Sequence, residues 1–203
     1  IKLAAQQGAT IIGLTAAAKW LAGHGVRVHY QLMCDAKPEM VDMILDDGEC
    51  VLMVASQAQP AVQDRADYLW HARFDGIEGF LPEQADPKAP DAILCAGGSS
   101  IGVLGMSVAY VMGYRQFHLF GYDSCYQADG RHHAYGQPVN DGERTIQIDH
   151  LGTVFRCAPW MALQVKEFQI LATQMVEDGC EITAHGDGLL QRIASMMWRR
   201  DAA

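Results

Sequence analysis

Short apolar runs and helical patterns alternate along most of this chain of 203 residues. The apolar runs have the length of buried strands, and the segments between them carry apolar residues at helical spacing or begin with proline. Strands that alternate with helices favour a parallel sheet covered on both faces, so the predicted fold class is α/β, a Rossmann-like three-layer sandwich with a mainly parallel sheet. In the first part, strands are predicted over residues 9–14, 26–33, 49–55 and 68–74, and helices over 15–23 (capped by Thr15), 38–47 and 60–66.

The clearest unit of this pattern spans residues 91–126. It begins with an apolar run of strand length, passes through the turn Gly97-Gly98-Ser99-Ser100, and continues as a helix until Gly113. A second apolar run, over residues 117–120, then ends in the polar segment from Gly121 to Ser124. Because ligands bind at the carboxyl ends of strands in open parallel sheets, this segment predicts a binding site.

The alternation stops after Asp123, and a polar loop covers residues 124–142. A loop of this length is typically functional or disordered. We expect the whole chain, residues 1–203, to form one domain in which residues 124–157 are a loop and hairpin inserted over the site. The later predicted elements are hairpin strands over residues 145–149 and 153–157, a helix over 159–177, a strand over 180–184 and a helix from about Leu189.

The glycine turn has the chemistry of an anion site. Gly97 and Gly98 allow a close approach to the backbone, the first amides of a helix can donate to phosphate, and Ser99 and Ser100 add hydroxyl donors. The pattern matches neither the dinucleotide fingerprint nor the P-loop, which would need lysine where Val103 stands. The alternative is a tight strand-to-helix turn whose glycines serve only packing.

Composition limits the partners of the chain. The 24 acidic residues exceed the 15 lysines and arginines, for a net charge of −9, which argues against binding of nucleic acid through its phosphates. No apolar run approaches the roughly 20 residues of a membrane span. The six cysteines are scattered without a Cys-x-x-Cys pair, which favours reduced thiols and a cytoplasmic protein. The oligomeric state is left open, with a homo-oligomer among the alternatives.

The wording of the central segment, LCAGGSSIGVLGMSVAYVMGYRQFHLFGYDSCY, resembles a known family. It is similar to the central motif of the 6-hydroxymethylpterin diphosphokinase MptE-like domain family, which shares features with motility-associated flagellin glycosyltransferases and with bacterial sialyltransferases. The resemblance extends over the chain, from ATIIGLTAAAKWLAGHGVRVHYQLMCDAK to APWMALQVKEFQILATQMVEDGCEITAHGDGLL. The chain lacks the glycine-rich segment that precedes this material in the family and opens at Ile1 in what reads as a helix end. We therefore expect the family's first strand to be missing.

The resemblance implies transfer from a nucleotide-activated donor to a small acceptor. The leading hypothesis is pyrophosphoryl transfer from ATP to a pterin-like acceptor, which needs Mg²⁺. Asp35 and Asp123, each after a predicted strand, are the candidate metal ligands, because Mg²⁺ binds carboxylates together with substrate phosphates. The first alternative is a nucleotide-sugar glycosyltransferase, either sialyltransferase-like or flagellin-modifying. The second is a nucleotide- or metabolite-binding module without turnover. Local roles stay open for both aspartates: Asp35 as a helix cap and Asp123 as a residue that fixes its own loop.

Histidines supply the other candidate chemistry. His132 and His133 are candidates for a general acid or base, beside Arg131 as a phosphate clamp, and a solvated surface loop is the alternative. His185 follows a predicted strand and is a candidate to face the ligand, together with Tyr122 and Ser124. His118 lies within an apolar run, which predicts a core histidine instead.

Overall fold

The computed structural model describes residues 1–73, 94–96, 98–131 and 142–197. These residues belong to two compact units, Ile1–Val111 and Met112–Ala203. Gly97, His132 and His133, three of the predicted site residues, lie outside the described residues. Each unit is described by itself below.

The first unit is built on a parallel sheet in which strands follow one another in chain order. Every described pair in this sheet is parallel, beginning with Ile12 opposite Tyr30. The prediction of an α/β fold with a mainly parallel sheet is therefore confirmed. The strands are β1 (Ile12–Leu14), β2 (Tyr30–Met33), β3 (Val51–Ala55), β4 (Tyr68–Arg73) and β5 (Leu94–Ala96).

The helices of the first unit lie between these strands or follow the last one. They are α1 (Lys2–Gln6), α2 (Ala17–Gly23), α3 (Pro60–Gln63) and α4 (Ile101–Val111). The helix α4 is almost wholly buried and ends before Gly113, which adopts a φ of 97°. A Cβ at Gly105 would lie 2.9 Å from Cδ2 of Leu14, so α4 packs closely against β1 at this glycine.

Two local predictions for the first unit are wrong. The segment predicted as a helix over residues 38–47 is a short 3-10 helix, Pro38–Met43, and Ile44 is already extended. Thr15 does not cap α2, whose N-terminal cap is Ala16 without a side-chain hydrogen bond. Thr15 instead has a φ of 46°, which a β-branched residue rarely adopts, so it forms a strained turn at the carboxyl end of β1.

The buried amide of Gln31 accounts for both departures. Its Nε2 donates to the carbonyl oxygens of Thr15 and Met43 at 2.8 Å each, and its Oε1 accepts from the Leu45 amide at 2.8 Å. Gln31 is completely buried in β2, so its amide supplies these part-buried backbone groups with a protein partner. The Gln31 side chain thereby stabilises the turn after β1 and holds residue 45 in a non-helical position.

In its described residues, the second unit has two separate two-stranded sheets and two helices. The strands β6 (Gln116–Phe120) and β9 (Glu181–His185) are parallel neighbours, with Phe120 opposite His185. The strands β7 (Ile146–His150) and β8 (Thr153–Cys157) form the antiparallel hairpin that the sequence predicts. The helices are α5 (Pro159–Glu177), with the predicted bounds, and α6 (Leu189–Met197).

Three further findings bear on the expectations from composition. All six cysteines are free thiols, and Cys95, Cys157 and Cys180 are buried. Within the described part of the chain, no helix has both the length and the apolar character to cross a membrane. A single domain over residues 1–203, with residues 124–157 inserted over the site, stays a prediction.

Replacement of Gln31 by leucine should destabilise the first unit. The substitution removes the side-chain partner of two part-buried carbonyls and one part-buried amide, and we expect a loss of about 2–4 kcal/mol in the free energy of unfolding. Urea denaturation followed by circular dichroism measures this loss. The matched control is Gln174→Leu on the exposed face of α5, which should change stability by less than about 0.5 kcal/mol. Equal effects of the two variants would contradict the role given to Gln31.

Candidate functional site

The strands β6 and β9 end side by side and are followed by two polar turns. The Phe120–His185 pair closes the register, after which the chain continues through residues 121–124 on one side and residues 186–188 on the other. Both turns therefore lie at the carboxyl edge of a parallel pair, which is where such sheets bind ligands. This edge of the second unit is the candidate site.

Asp123 is held at this edge by helix α6. Its Oδ1 accepts a hydrogen bond from Nε2 of Gln191 at 3.0 Å, and its main-chain oxygen accepts from the Leu190 amide at 3.3 Å. The described contacts include no hydrogen bond to Oδ2, and the side chain is half-buried. Asp123 is thus tied to an element more than 60 residues further along the chain, and its described side-chain bond does not go to its own loop.

Two glycines permit this arrangement. A Cβ at Gly188 would lie 2.6 Å from both Cα and the carbonyl oxygen of Asp123, which is closer than any real contact. Gly186 has a φ of 125°, and a Cβ there would come within 3.2 Å of Oδ1 of Asp123. The turn after β9 therefore needs glycine at both positions in order to pass the aspartate.

The electrostatic environment of Asp123 opposes its ionisation. Burial raises the pKa of this carboxyl, the hydrogen bond from Gln191 lowers it, and the nearby Asp187 raises it, with a net upward shift. A raised pKa places a carboxyl closer to the range in which it can exchange a proton with a ligand.

The residues on either side of Asp123 are also constrained. Ser124 is buried and has a φ of 52°, which is unusual for a residue other than glycine, and its hydroxyl donates to Oε1 of Gln164 at 3.2 Å. Burial raises the pKa of the Tyr122 phenol. Ser124 therefore stabilises the loop through the hydrogen bond of its hydroxyl to Gln164.

His185 and His118 form a pair on the outer face of the two strands. Nδ1 of His118 lies 2.9 Å from Nε2 of His185, so one ring donates and the other accepts. The His185 ring also stacks on Phe120 at 4.3 Å between centroids, and burial and the neighbouring His118 ring lower the pKa of His185. The prediction of His118 as a core histidine is wrong, because this side chain is exposed: its strand alternates, and residues 117 and 119 supply the core.

Arg131 and Arg156 lie in the loop and hairpin of this unit. Nε of Arg131 forms an ion pair with Asp129 at 2.7 Å, and both side chains are exposed. The Arg156 guanidinium lies over the Tyr126 ring at 5.0 Å from its centroid. Among the described residues, Arg156 has no carboxylate within ion-pair distance. A stacked guanidinium of this kind keeps its donors available for an anion.

The remaining candidates belong to the first unit. The carboxylate of Asp35 accepts from the Lys37 amide at 3.1 Å and lies 3.8 Å from the Lys37 ammonium, so its described side-chain contacts are local. Ser100 caps α4, since its Oγ accepts from the Val103 amide at 3.4 Å. Gly98 and Ser99 occupy the turn before α4, as predicted. A ligand role for each of these residues stays a prediction.

A metal role stays a prediction too. In the described ranges, no three His, Cys, Asp or Glu side chains are grouped closely enough to hold a metal ion. Mg²⁺ is often bound by one or two carboxylates together with substrate phosphates, and Asp123 with its neighbour Asp187 offers that kind of donor set.

Two site residues were missed by sequence reasoning. Gln191 holds Asp123, and Asp187 shifts its pKa. The signal available in the sequence was the Gly186-Asp187-Gly188 turn before an amphipathic helix. The hydrophobic periodicity of the sequence does not predict that this turn faces residue 123, because the pairing of β6 with β9 is a long-range contact.

The fold resembles a solved structure, that of an MAf glycosyltransferase from Magnetospirillum magneticum AMB-1. The two chains share 16% sequence identity with a TM-score of 0.62, over 91% of this chain and 29% of that chain. At this identity the likeness shows a common fold, and it confirms the Rossmann-like class. No protein-family model matches the sequence, and no curated protein matches it.

Replacement of Gly188 by alanine should disturb the site directly. The added Cβ would collide with backbone atoms of Asp123, and we expect a loss of about 1–3 kcal/mol in the free energy of unfolding together with displacement of the turn. Thermal unfolding measures the loss. The matched control is Gly23→Ala, where a Cβ meets nothing within 4 Å and stability should be unchanged or higher. A Gly188→Ala variant as stable as the wild type would mean that the two turns are not in close contact.

Proposed function

We propose that this chain takes part in glycosyl transfer from a nucleotide sugar to an acceptor hydroxyl. The observation that carries the proposal is the half-buried carboxylate of Asp123, which is fixed through one oxygen at the carboxyl edge of two parallel strands. The common fold with an MAf glycosyltransferase supports it. Because the chain spans 29% of the length of that protein, the acceptor and the complete reaction are part of the proposal.

The chemistry asks for a group that takes a proton from the acceptor. The acceptor oxygen forms a bond to the anomeric carbon of the sugar, the bond from that carbon to the donor phosphate breaks, and the nucleotide leaves with the electron pair. Asp123 would accept the hydroxyl proton at Oδ2. A carboxyl whose pKa is raised by burial suits this role, because a stronger base takes the proton more readily.

The leaving nucleotide is an anion and needs donors of its own. Arg156, stacked on Tyr126, is the candidate within the second unit. Separately, the turn with Gly98, Ser99 and Ser100 before α4 in the first unit stays a predicted anion site of its own, since amides at a helix N-terminus favour phosphate. Six free thiols support the predicted cytoplasmic location.

Pyrophosphoryl transfer from ATP to a pterin-like acceptor is the second candidate. The observation that favours it is the influence of Asp187 on Asp123, because two adjacent carboxylates suit Mg²⁺ bound to a diphosphate. The third candidate is a nucleotide- or metabolite-binding module without turnover. The three candidates differ in the ligand that stabilises the protein and in the need for metal.

A thermal-shift panel separates these candidates. We expect CMP-N-acetylneuraminate, UDP-N-acetylglucosamine or GDP-mannose to raise the melting temperature of the 203-residue chain, since a ligand that binds only the folded state stabilises it. ATP and 6-hydroxymethylpterin, each with and without Mg²⁺, are measured in parallel. Stabilisation by ATP or the pterin only with Mg²⁺ would favour diphosphoryl transfer instead. A nucleotide sugar that binds without turnover of any acceptor would favour the binding module.

Asp123→Asn should separate function from stability. Asparagine keeps an acceptor for Gln191 but cannot ionise. In the wild type the pKa of the Asp123 carboxyl is raised in the folded state, so its ionisation lowers the stability of the fold as pH rises through that pKa. The melting temperature of the variant relative to wild type should therefore increase from pH 4 to pH 7, while sugar transfer falls by at least about 100-fold.

The control for this prediction is Asp129→Asn. Hydrogen bonds from the Arg131 amide and side chain lower the pKa of Asp129, so the same substitution there should not gain stability as pH rises. Full transferase activity in Asp123→Asn would remove this residue from the mechanism.

A further inference from the structure

The buried side chain of Gln191 joins the two strand ends. Gln191 is 4% exposed and lies in the first turn of α6. Its Nε2 donates to Oδ1 of Asp123 at 3.0 Å and to the main-chain oxygen of His185 at 3.2 Å. The side-chain amide of Gln191 therefore contacts both His185, the last residue of β9, and Asp123, which follows β6.

The other end of the same amide lacks a partner among the described residues. There, Oε1 of Gln191 is buried and accepts no hydrogen bond, an arrangement that carries a free-energy cost in a protein interior. Reversal of the amide would not relieve this cost, since it would place Oε1 against the carboxylate of Asp123 and the carbonyl of His185, which are both acceptors. The orientation is thus dictated by the ionised aspartate, and the unpartnered oxygen is its consequence.

We propose that Gln191 is a positioning residue that fixes Asp123 through Oδ1 and leaves Oδ2, whose two lone pairs can accept two hydrogen bonds, for a hydroxyl group of the donor sugar beside the acceptor hydroxyl. The ligand part of this inference rests on the proposed function. The positioning part rests on the two hydrogen bonds and on the glycines at 186 and 188, which bring the turn after β9 against residue 123.

The charges around Asp123 favour a neutral hydroxyl over a phosphate at Oδ2. The titratable groups of the described residues that interact with it are Asp187 and the thiol of Cys125, and neither is a cation. Among the described residues, no lysine or arginine forms an ion pair with Asp123. A phosphate would meet two carboxylates here, whereas a sugar hydroxyl can donate to one of them.

The first test measures the acidity of Asp123 and needs no substrate. Gln191→Met keeps most of the side-chain volume but removes the donor, so the pKa of the Asp123 carboxyl should rise by about one unit. Carboxyl ¹³C NMR titration of the folded protein measures it, with the signal assigned through Asp123→Asn. The control is Gln174→Met on the exposed face of α5, which should leave the titration unchanged. An unchanged Asp123 titration in folded Gln191→Met would overturn the inference.

A second variant covers the case in which Gln191→Met does not fold. Gln191→Glu keeps the shape of the side chain and replaces the donor by a second carboxyl, so the pair with Asp123 should retain one proton into the neutral range. Two carboxyls that titrate independently at their ordinary values would mean that the side chains are not in contact, which again overturns the inference.

The ligand part is tested with free and sugar-linked nucleotides. The affinity of Gln191→Met for CMP-N-acetylneuraminate or UDP-N-acetylglucosamine should fall by about tenfold, while its affinity for CMP or UDP stays at the wild-type value. Equal loss for free nucleotide and nucleotide sugar would overturn the assignment of Oδ2 to a sugar hydroxyl. If the wild type binds neither sugar nucleotide, the proposed function fails, and the NMR titration still decides the positioning role.

Discussion

The parallel pairing of β6 with β9 is the contact on which the candidate site depends. It sets Phe120 opposite His185, so the turns that follow the two strands start at the same level. From there Gly188 passes the backbone of Asp123 at a distance that no side chain allows, and Gln191 reaches the carboxylate from the first turn of α6. If the strands were displaced by one residue, the side chains would change faces and neither contact would form.

The cost of this arrangement lies in electrostatics. Burial and Asp187 disfavour the charge of Asp123, the hydrogen bond from Gln191 favours it, and Oε1 of Gln191 has no hydrogen-bond partner within the described part of the chain. A protein optimised for stability alone would place an apolar residue or an asparagine at position 123. Unfavourable local terms that persist in a folded protein are often found at functional sites, where other packing over-determines the structure.

Much of the fold can be predicted from the sequence because its strands and long helices are local patterns. The helix over residues 159–177 and the hairpin after residue 145 were predicted almost to the residue, since amphipathic spacing and alternation determine them. The helix predicted over residues 38–47 failed because the amide of Leu45 bonds to Gln31, a contact with another strand. The apolar neighbours of His118 predict a core position for it, but buried and exposed side chains alternate along β6, and His118 is one of the exposed ones. Asp123 could be chosen from its place after a strand, but Gln191 could not, since its role exists only once β9 lies beside β6.

Two segments of the chain share the support of Asp123. Residues 121–124 carry the carboxylate, whereas the hydrogen bond that holds it and, beside burial, the neighbouring carboxylate that raises its pKa come from residues 186–191, more than 60 positions later in the chain. Substitutions in the second segment can therefore retune the proton affinity of the site while strand β6 and its loop remain as they are. Related proteins with this arrangement could diverge in the pH of maximal activity or in substrate through substitutions in α6 alone, and the same substitutions are available to protein engineering.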